Sequence, residues 1–243
     1  ARAIEVTATG VNLHIDHIGE VTPELVVNLL MRGPLETGED ISRCARLHTI
    51  GVDGCALAVV ADSLAAIEQR VEQEKRLTWA QLCDALRSDF EGVHGERIRL
   101  MLSSAARYCQ GGTIADGWAE RITRDFARMV HEQPMPEGRR LVPGFFSWSR
   151  TIEYGACIGA TPNGRKAGKP ISHGANPNPG FRKDGAVTAL STGIAHAQPG
   201  YGNAAPLQLE FDPKMTREEG GVERVEQLIR THIDMGGTLI NIN

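Results

Sequence analysis

The sequence has no Cys-x-x-Cys pair, no excess of either charge, and no apolar run near the roughly 18 residues of a membrane span. Its five cysteines (Cys44, Cys55, Cys83, Cys109 and Cys157) are odd in number and widely spaced. That spacing argues against a disulfide scaffold or a structural zinc site, and it predicts free thiols in a reducing compartment, the cytoplasm. A formal charge of −4 offers no handle to nucleic acid or an anionic membrane, so neither is expected as a partner. The N-terminal ARAIEVTATG has no signal-peptide architecture.

Familiar catalytic patterns are missing as well. There is no Ser-His-Asp order with a nucleophile elbow and no Gly-x-Gly-x-x-Gly. ATPNGRKAG is Gly-rich but lacks the Gly-Lys-Ser/Thr ending that puts a lysine and a hydroxyl on phosphate. His14 and His17 lie close in sequence, but a strand would send them to opposite faces, and no metal site is expected there.

What is present is ordinary globular material: 243 residues, 41% hydrophobic and 23% charged, enough for one large or two small domains. Ile4 to Ile15 alternate loosely like a strand, and Thr22-Pro23 opens a short helix. TIGVDGCALAVVADSLAAI starts small and apolar and becomes helical, with Asp62 or Ser63 as cap and Leu64, Ile67 and Val71 on one face. Thr78 and Gln81 form a capping box ahead of Leu82 and Leu86. Helices are predicted over 96–108 and 113–130, the second with Trp118, Ile122, Phe126 and Val130 in register. After Gly138 and Pro143 the chain reads as loop and strand through LVPGFFSW and AVTALSTGIAHA. PLQLEFDP is a strand, GGVERVEQLIRTHIDMGG an amphipathic helix closed by Gly236-Gly237, and TLININ a final strand. Helices and strands in alternation define an α/β class.

The last strands have two chemically distinct faces. Leu207, Leu209 and Phe211 share one, and Gln208 and Glu210 the other. Asn241 and Asn243 sit opposite Ile240 and Ile242. In a closed barrel the polar side is the lumen, where it meets substrate; in an open sheet it is a solvated face.

Between these elements lies GATPNGRKAGKPISHGANPNPGFRKDG, Gly159 to Gly185, with six glycines and four prolines and no apolar period. Loops this long without secondary structure are uncommon in compact domains and are usually functional or disordered.

GATPNGRKAGKPISHGANPNPG followed by DGAVTALSTGIA resembles the Gly-Arg-x-Ala-Gly region of the pyruvate formate-lyase family, the glycyl radical enzymes. VVADSLAAIEQRV resembles that family's ADSLSAI helix, and PLQLEFDP and LIRTHIDMGGTLININ its last barrel strands and the helix between them. The four landmarks stand in family order over residues 46–243. The resemblance implies that 46–243 form part of a ten-stranded α/β barrel, with residues 1–45 unassigned. It makes the Gly/Pro stretch an ordered structural loop (Gly159, Asn163, Gly164, Arg165, Gly168) running over the barrel end, with Arg165 as anchor. It also implies Phe146, Trp148, Gln208, Glu210, Asn241 and Asn243 as cavity-lining, substrate-binding candidates.

The implied chemistry is radical cleavage of C–C, C–N, C–O or C–S bonds in a small-molecule substrate. A glycyl radical is installed by a separate S-adenosylmethionine-dependent iron–sulfur activase, and a cysteine thiyl then takes hydrogen from the substrate. The enzyme is expected to be a homodimer. No residue here takes a catalytic role: neither Cys44 nor Cys55 stands where the family places its thiyl, and the RVSGY-like radical motif does not occur. The chain starts without Met and stops inside a strand, so it is expected to continue at both ends, to lack the C-terminal glycyl radical domain, and to be inactive alone. The alternative is a non-catalytic split subunit or scaffold derived from the family.

Overall fold

The structure, a computed structural model, describes residues 1–181, 187–198 and 203–243. The elements run α1 (Arg2–Val21), α2 (Leu25–Leu30), α3 (Arg32–Thr37), α4 (Ile41–Cys44), β1 (His48–Gly54) and α5 (Leu57–Ile67). A π-helical segment, Glu68–Gln73, extends α5. Then come α6 (Trp79–Arg87), α7 (Gly92–Ser103), α8 (Ile114–His131), β2 (Arg139–Phe145), α9 (Thr151–Ala156) and α10 (Val187–Ala197). β3 (Leu207–Leu209), a 3-10 turn, α11 (Gly221–Asp234) and β4 (Ile240–Ile242) complete the order. β1 pairs with β2, and β3 with β4. The chain divides into two compact units, residues 1–52 with 126–143, and residues 53–125 with 144–243.

The smaller unit packs Ile4 and Ala8 of α1 against Val52, Val130 and Leu141, with Phe126 and Met129 at the margin. Polar contacts pin the outer side of α1, where Arg139 donates to the Asp16 carboxylate at 2.5 Å and to Asn12 Oδ1 at 3.0 Å.

In the larger unit the core gathers where α5, its π-helical extension, α6 and α7 meet, on Ala66, Val71, Leu77, Leu82, Phe90, Ile98 and Leu102. The Thr78–Gln81 capping box starts α6 and turns Leu82 and Ala85 inward. Gly95 lets α7 pass close to the preceding turn, since a Cβ there would lie 2.5 Å from the Phe90 carbonyl carbon. α10 and α11 are joined by polar contacts: buried His232 meets Ser191 through Nδ1 at 3.1 Å and Gln198 Oε1 through Nε2 at 2.9 Å. Gln198 in turn accepts from the Thr238 backbone N–H at 2.8 Å, which fixes the approach to β4. β3 and β4 run parallel with Leu207 opposite Ile240, Gln208 opposite Asn241 and Leu209 opposite Ile242. Parallel neighbours need a crossover, and α11 supplies it.

Three sequence expectations are corrected. Residues 4–15 are helical, not a strand: Ile4, Ala8, Val11, Ile15 and Ile18 recur at helical spacing and form the less exposed face. His14 and His17 therefore lie one helical turn apart, and His17 contacts Glu20 at 3.5 Å. AVTALSTGIAHA is helical from Val187 on, despite its β-branched residues, because Ser191, Ile194 and Ala195 are buried on one face. Asp62 and Ser63 do not cap a helix. α5 begins at Leu57 after Ala56 in a left-handed conformation, and both residues lie buried in its interior.

Candidate functional site

The Gly/Pro stretch is ordered by bonds to distant parts of its own unit. Its residues 182–185 lie outside the described residues. From α5, Ser63 Oγ accepts the Asn163 N–H at 3.2 Å, and the Asp62 carboxylate accepts the Asn178 side-chain amide at 2.7 Å. The same carboxylate accepts the Tyr108 N–H at 2.8 Å and faces Arg107 at 3.4 Å. Burial pushes the Asp62 carboxyl up, and these three partners pull against it. A buried carboxylate is tolerated only with such compensation.

Within the stretch, Arg165 donates to the carbonyls of Gly159 at 2.5 Å, Lys169 at 2.6 Å, Lys166 at 3.1 Å and Ile158 at 3.3 Å. Asn163 Oδ1 accepts from the Thr161 hydroxyl and the Arg165 N–H, closing a turn around Gly164. Gly164 has φ +85°, and a Cβ there would lie 2.9 Å from the Arg99 carbonyl oxygen. Gly168, at φ +69°, has open space around it. Gly159 offers one of the carbonyls that Arg165 binds.

The stretch then meets β3. Asn176 Oδ1 accepts the Gln208 N–H at 2.9 Å, and its amide donates to the carbonyls of Pro206 and His173. Beside this junction lies a cavity of about 490 Å³. Gln208, Glu210, His173, Asn176 and Ser149 supply its polar wall, and Phe181, Leu190 and Pro177 its apolar one. Gln208 and Glu210 of the six predicted lining residues thus share one concave surface. Asn241 is paired in register with Gln208 and exposed, and Asn243 is exposed and bonded to β3 through its backbone.

Phe146 and Trp148 are not among the residues lining the cavity: Phe146 packs against His173 with ring centroids 5.4 Å apart, and exposed Trp148 packs edge-on against Phe146 at 5.3 Å. Trp148 and Ser149 both take left-handed backbone angles, φ 50° and 61°. Such strain in consecutive non-glycine residues persists only where surroundings enforce it, and it clusters at functional sites. Beside these two residues, buried Ser147 bonds His173 Nδ1 at 2.5 Å, and the Asp53 carboxylate accepts from the Asn203 side-chain amide at 2.9 Å. Burial raises the Asp53 carboxyl, and the neighbouring Trp148 and Asn203 side chains oppose it.

His173, Asn176, Phe181, Ser147 and Asp53 escaped the sequence reading. His173 and Asn176 stood inside the Gly/Pro stretch, whose length was the signal. Ser147 and Asp53 carried none. Burial, with the neighbouring Asp53 charge, raises the Cys55 thiol, and burial raises Cys109 well above its ordinary value. Among the described residues no three His, Cys, Asp or Glu side chains are placed to hold a metal ion, and no helix is long and apolar enough to cross a membrane.

A parallel strand pair with a crossover helix, capped by a long ordered loop over a polar cavity, is the geometry of an α/β barrel segment. Solved barrels superpose on nearly the whole chain. A structure on 1,2-propanediol dehydration in Roseburia inulinivorans matches with TM-score 0.88 and 26% identity over 99% of this chain and 31% of that one. Hydroxyproline dehydratase from Clostridioides difficile, with trans-4-hydroxy-L-proline bound, matches with TM-score 0.80 and 27% identity over 99% of this chain and 30% of that one. Isethionate sulfite-lyase of Bilophila wadsworthia is 34% identical over 191 residues, 74% of this chain and 22% of the relative.

The family model Pyruvate formate lyase-like (PFL-like) matches residues 1–155, and the chain belongs to that family. The match includes residues 1–45. The fold is therefore part of the α/β barrel of glycyl radical enzymes. The chain spans about a quarter of the length of the curated relatives it matches.

Proposed function

We propose that this chain is the part of a glycyl radical lyase or dehydratase that lines one side of the substrate cavity, and that residues 46–243 form its barrel portion. The observation that carries this reading is the cavity where Gln208 and Glu210 of the β3 segment face His173 and Asn176 of the Gly/Pro stretch. Gln208, Glu210, Asn241 and Asn243 orient the polar groups of a small metabolite, and Phe146 and Trp148 support the wall behind His173. Gly159, Asn163, Gly164, Arg165 and Gly168 hold the loop so that this wall does not move.

In this reading the bond-breaking radical chemistry is supplied by a glycyl radical, installed by an S-adenosylmethionine-dependent iron–sulfur activase, and by a thiyl outside these residues. What the chain itself contributes is binding, orientation and exclusion of water, which a reactive substrate radical requires. Named relatives act on isethionate and trans-4-hydroxy-L-proline, and a solved neighbour concerns 1,2-propanediol; the substrate proposed here belongs to that class of small hydroxylated metabolites. The whole enzyme is proposed to be a homodimer that works with its activase.

The test is turnover by the full-length protein, activated anaerobically, on a panel of those three compounds. Gln208→Ala and Glu210→Gln should each raise KM or lower kcat/KM for the compound consumed. Normal kinetics in both variants would remove these residues from the substrate site. Failure to consume any compound, with no radical formed, would favour a non-catalytic subunit or scaffold.

A further inference from the structure

We propose that a second site, in the groove between α6 and α7, binds a small organic anion. The groove between α6 and α7 has a volume of about 390 Å³, within the range of small-molecule sites. Leu77, Ile98 and Met101 form its floor, and Arg76, His94 and Arg97 stand at its rim.

Its charge sets it apart from its surroundings. The neighbouring arginines are committed to carboxylates: Arg70 to Glu74 at 2.6 Å, Arg87 to Asp84 at 3.0 Å and Arg99 to Glu96 at 2.6 Å. The groove lining contains no carboxylate. Among the described residues Arg97 and His94 have no ion pair or side-chain hydrogen bond, and both are exposed. Arg76 reaches only Glu74, at 3.6 Å, whose two oxygens already accept from Arg70 at 2.6 and 2.7 Å. The Arg97 guanidinium and the His94 imidazole are thus left without a carboxylate, and Arg76 is held only by a long contact to a Glu74 that Arg70 already engages.

That combination defines the ligand. A planar guanidinium matches phosphate or carboxylate in a two-pronged fashion and is weakly hydrated, so it gives up water readily. Leu77 and Ile98 are buried beneath the groove, so the apolar surface open to a ligand is that of half-buried Met101, on which a flat apolar body would lie. The site therefore takes an anion joined to an apolar body, and prefers it to either part alone. Concavity and size favour a small molecule over an acidic protein segment.

The probe is phenyl phosphate, titrated into the full-length protein at low salt by calorimetry, with inorganic phosphate and phenol as its two halves. Saturable binding of phenyl phosphate, tighter than of either half, is expected. Arg97→Ala and Arg76→Ala should each weaken it by about tenfold, the usual loss for a charged hydrogen bond, and added salt should weaken it further. Arg124→Ala, on α8, should leave it unchanged. Circular dichroism checks that the exposed substitutions preserve the fold. No saturable binding, binding indifferent to both substitutions, or binding of an acidic peptide in preference to phenyl phosphate would each overturn the proposal.

Discussion

The side-chain amide of Asn178 donates to the buried carboxylate of Asp62 at 2.7 Å across 116 positions of sequence. That one bond ties the Gly/Pro stretch to the middle of α5. The same carboxylate also closes the turn at Tyr108, so three segments depend on a single side chain.

Asp62→Ala should therefore be costly. It leaves the Tyr108 N–H and the Asn178 amide without their acceptor and Arg107 with only the Ser103 carbonyl, and breaking a buried charged pair from one side costs about 3–5 kcal/mol. Chemical denaturation measures it. A loss below about 1 kcal/mol, typical of surface substitutions, would show that the network contributes little.

Asp62 also predicts a pH effect of definite sign. Burial raises its folded pKa above that of an ordinary aspartate. The native state thus holds a proton that the unfolded chain has lost in the window between the two values. The site's contribution to stability increases as pH falls through the raised value and levels off below the unfolded one. Asp62→Asn lacks this dependence. Wild type should gain on Asp62→Asn as pH drops from about 7 to about 4 in paired denaturation curves. A shift in the opposite direction would mean that Arg107 dominates and holds the carboxyl low.

Arg165→Lys should behave as a disruptive change. Lysine offers one ammonium where the guanidinium spans four carbonyls from Ile158 to Lys169. Limited proteolysis should cut the variant within 158–169 before wild type is cut there. Equal protection would show that Asn163 and Ser63 suffice to hold the loop.

Gly164→Ala combines a left-handed φ with a Cβ 2.9 Å from a backbone oxygen. The conformation alone costs about 1–2 kcal/mol, and the clash adds to it. Gly168→Ala shares the positive φ but meets no atom within 4 Å. Thermal melts should rank Gly164→Ala clearly below Gly168→Ala. The reverse order would mean that the loop shifts to make room at Gly164.

The sequence made some elements legible because their signals are local. The α6 capping box, the apolar stripe of α8, the glycines after α11 and the alternation in β3 all lie within a few residues of what they determine. α1 was misread because its β-branched residues alternate over a short window, while its helical period shows only over all 20 residues. α10 was misread because packing against α11 overrides the β preference of Val187, Thr188 and Thr192. Asp62 looked like a helix cap because nothing nearby in sequence could satisfy it inside a helix; its partners come from Tyr108 and Asn178. Of the cavity, Gln208 and Glu210 followed from strand alternation. His173 and Asn176 did not, since irregular backbone has no period from which to read a facing.

The most direct test of the central claim is electron paramagnetic resonance after anaerobic incubation with the activase and S-adenosylmethionine. The full-length protein should show a glycyl doublet. A polypeptide of these 243 residues should show none, because a stable backbone radical needs one specific glycine that the activase can reach and the barrel can shield, and no RVSGY-like motif occurs in this sequence. A doublet on the 243-residue polypeptide, or its absence from the full-length protein when a relative activated in parallel shows one, would contradict the assignment.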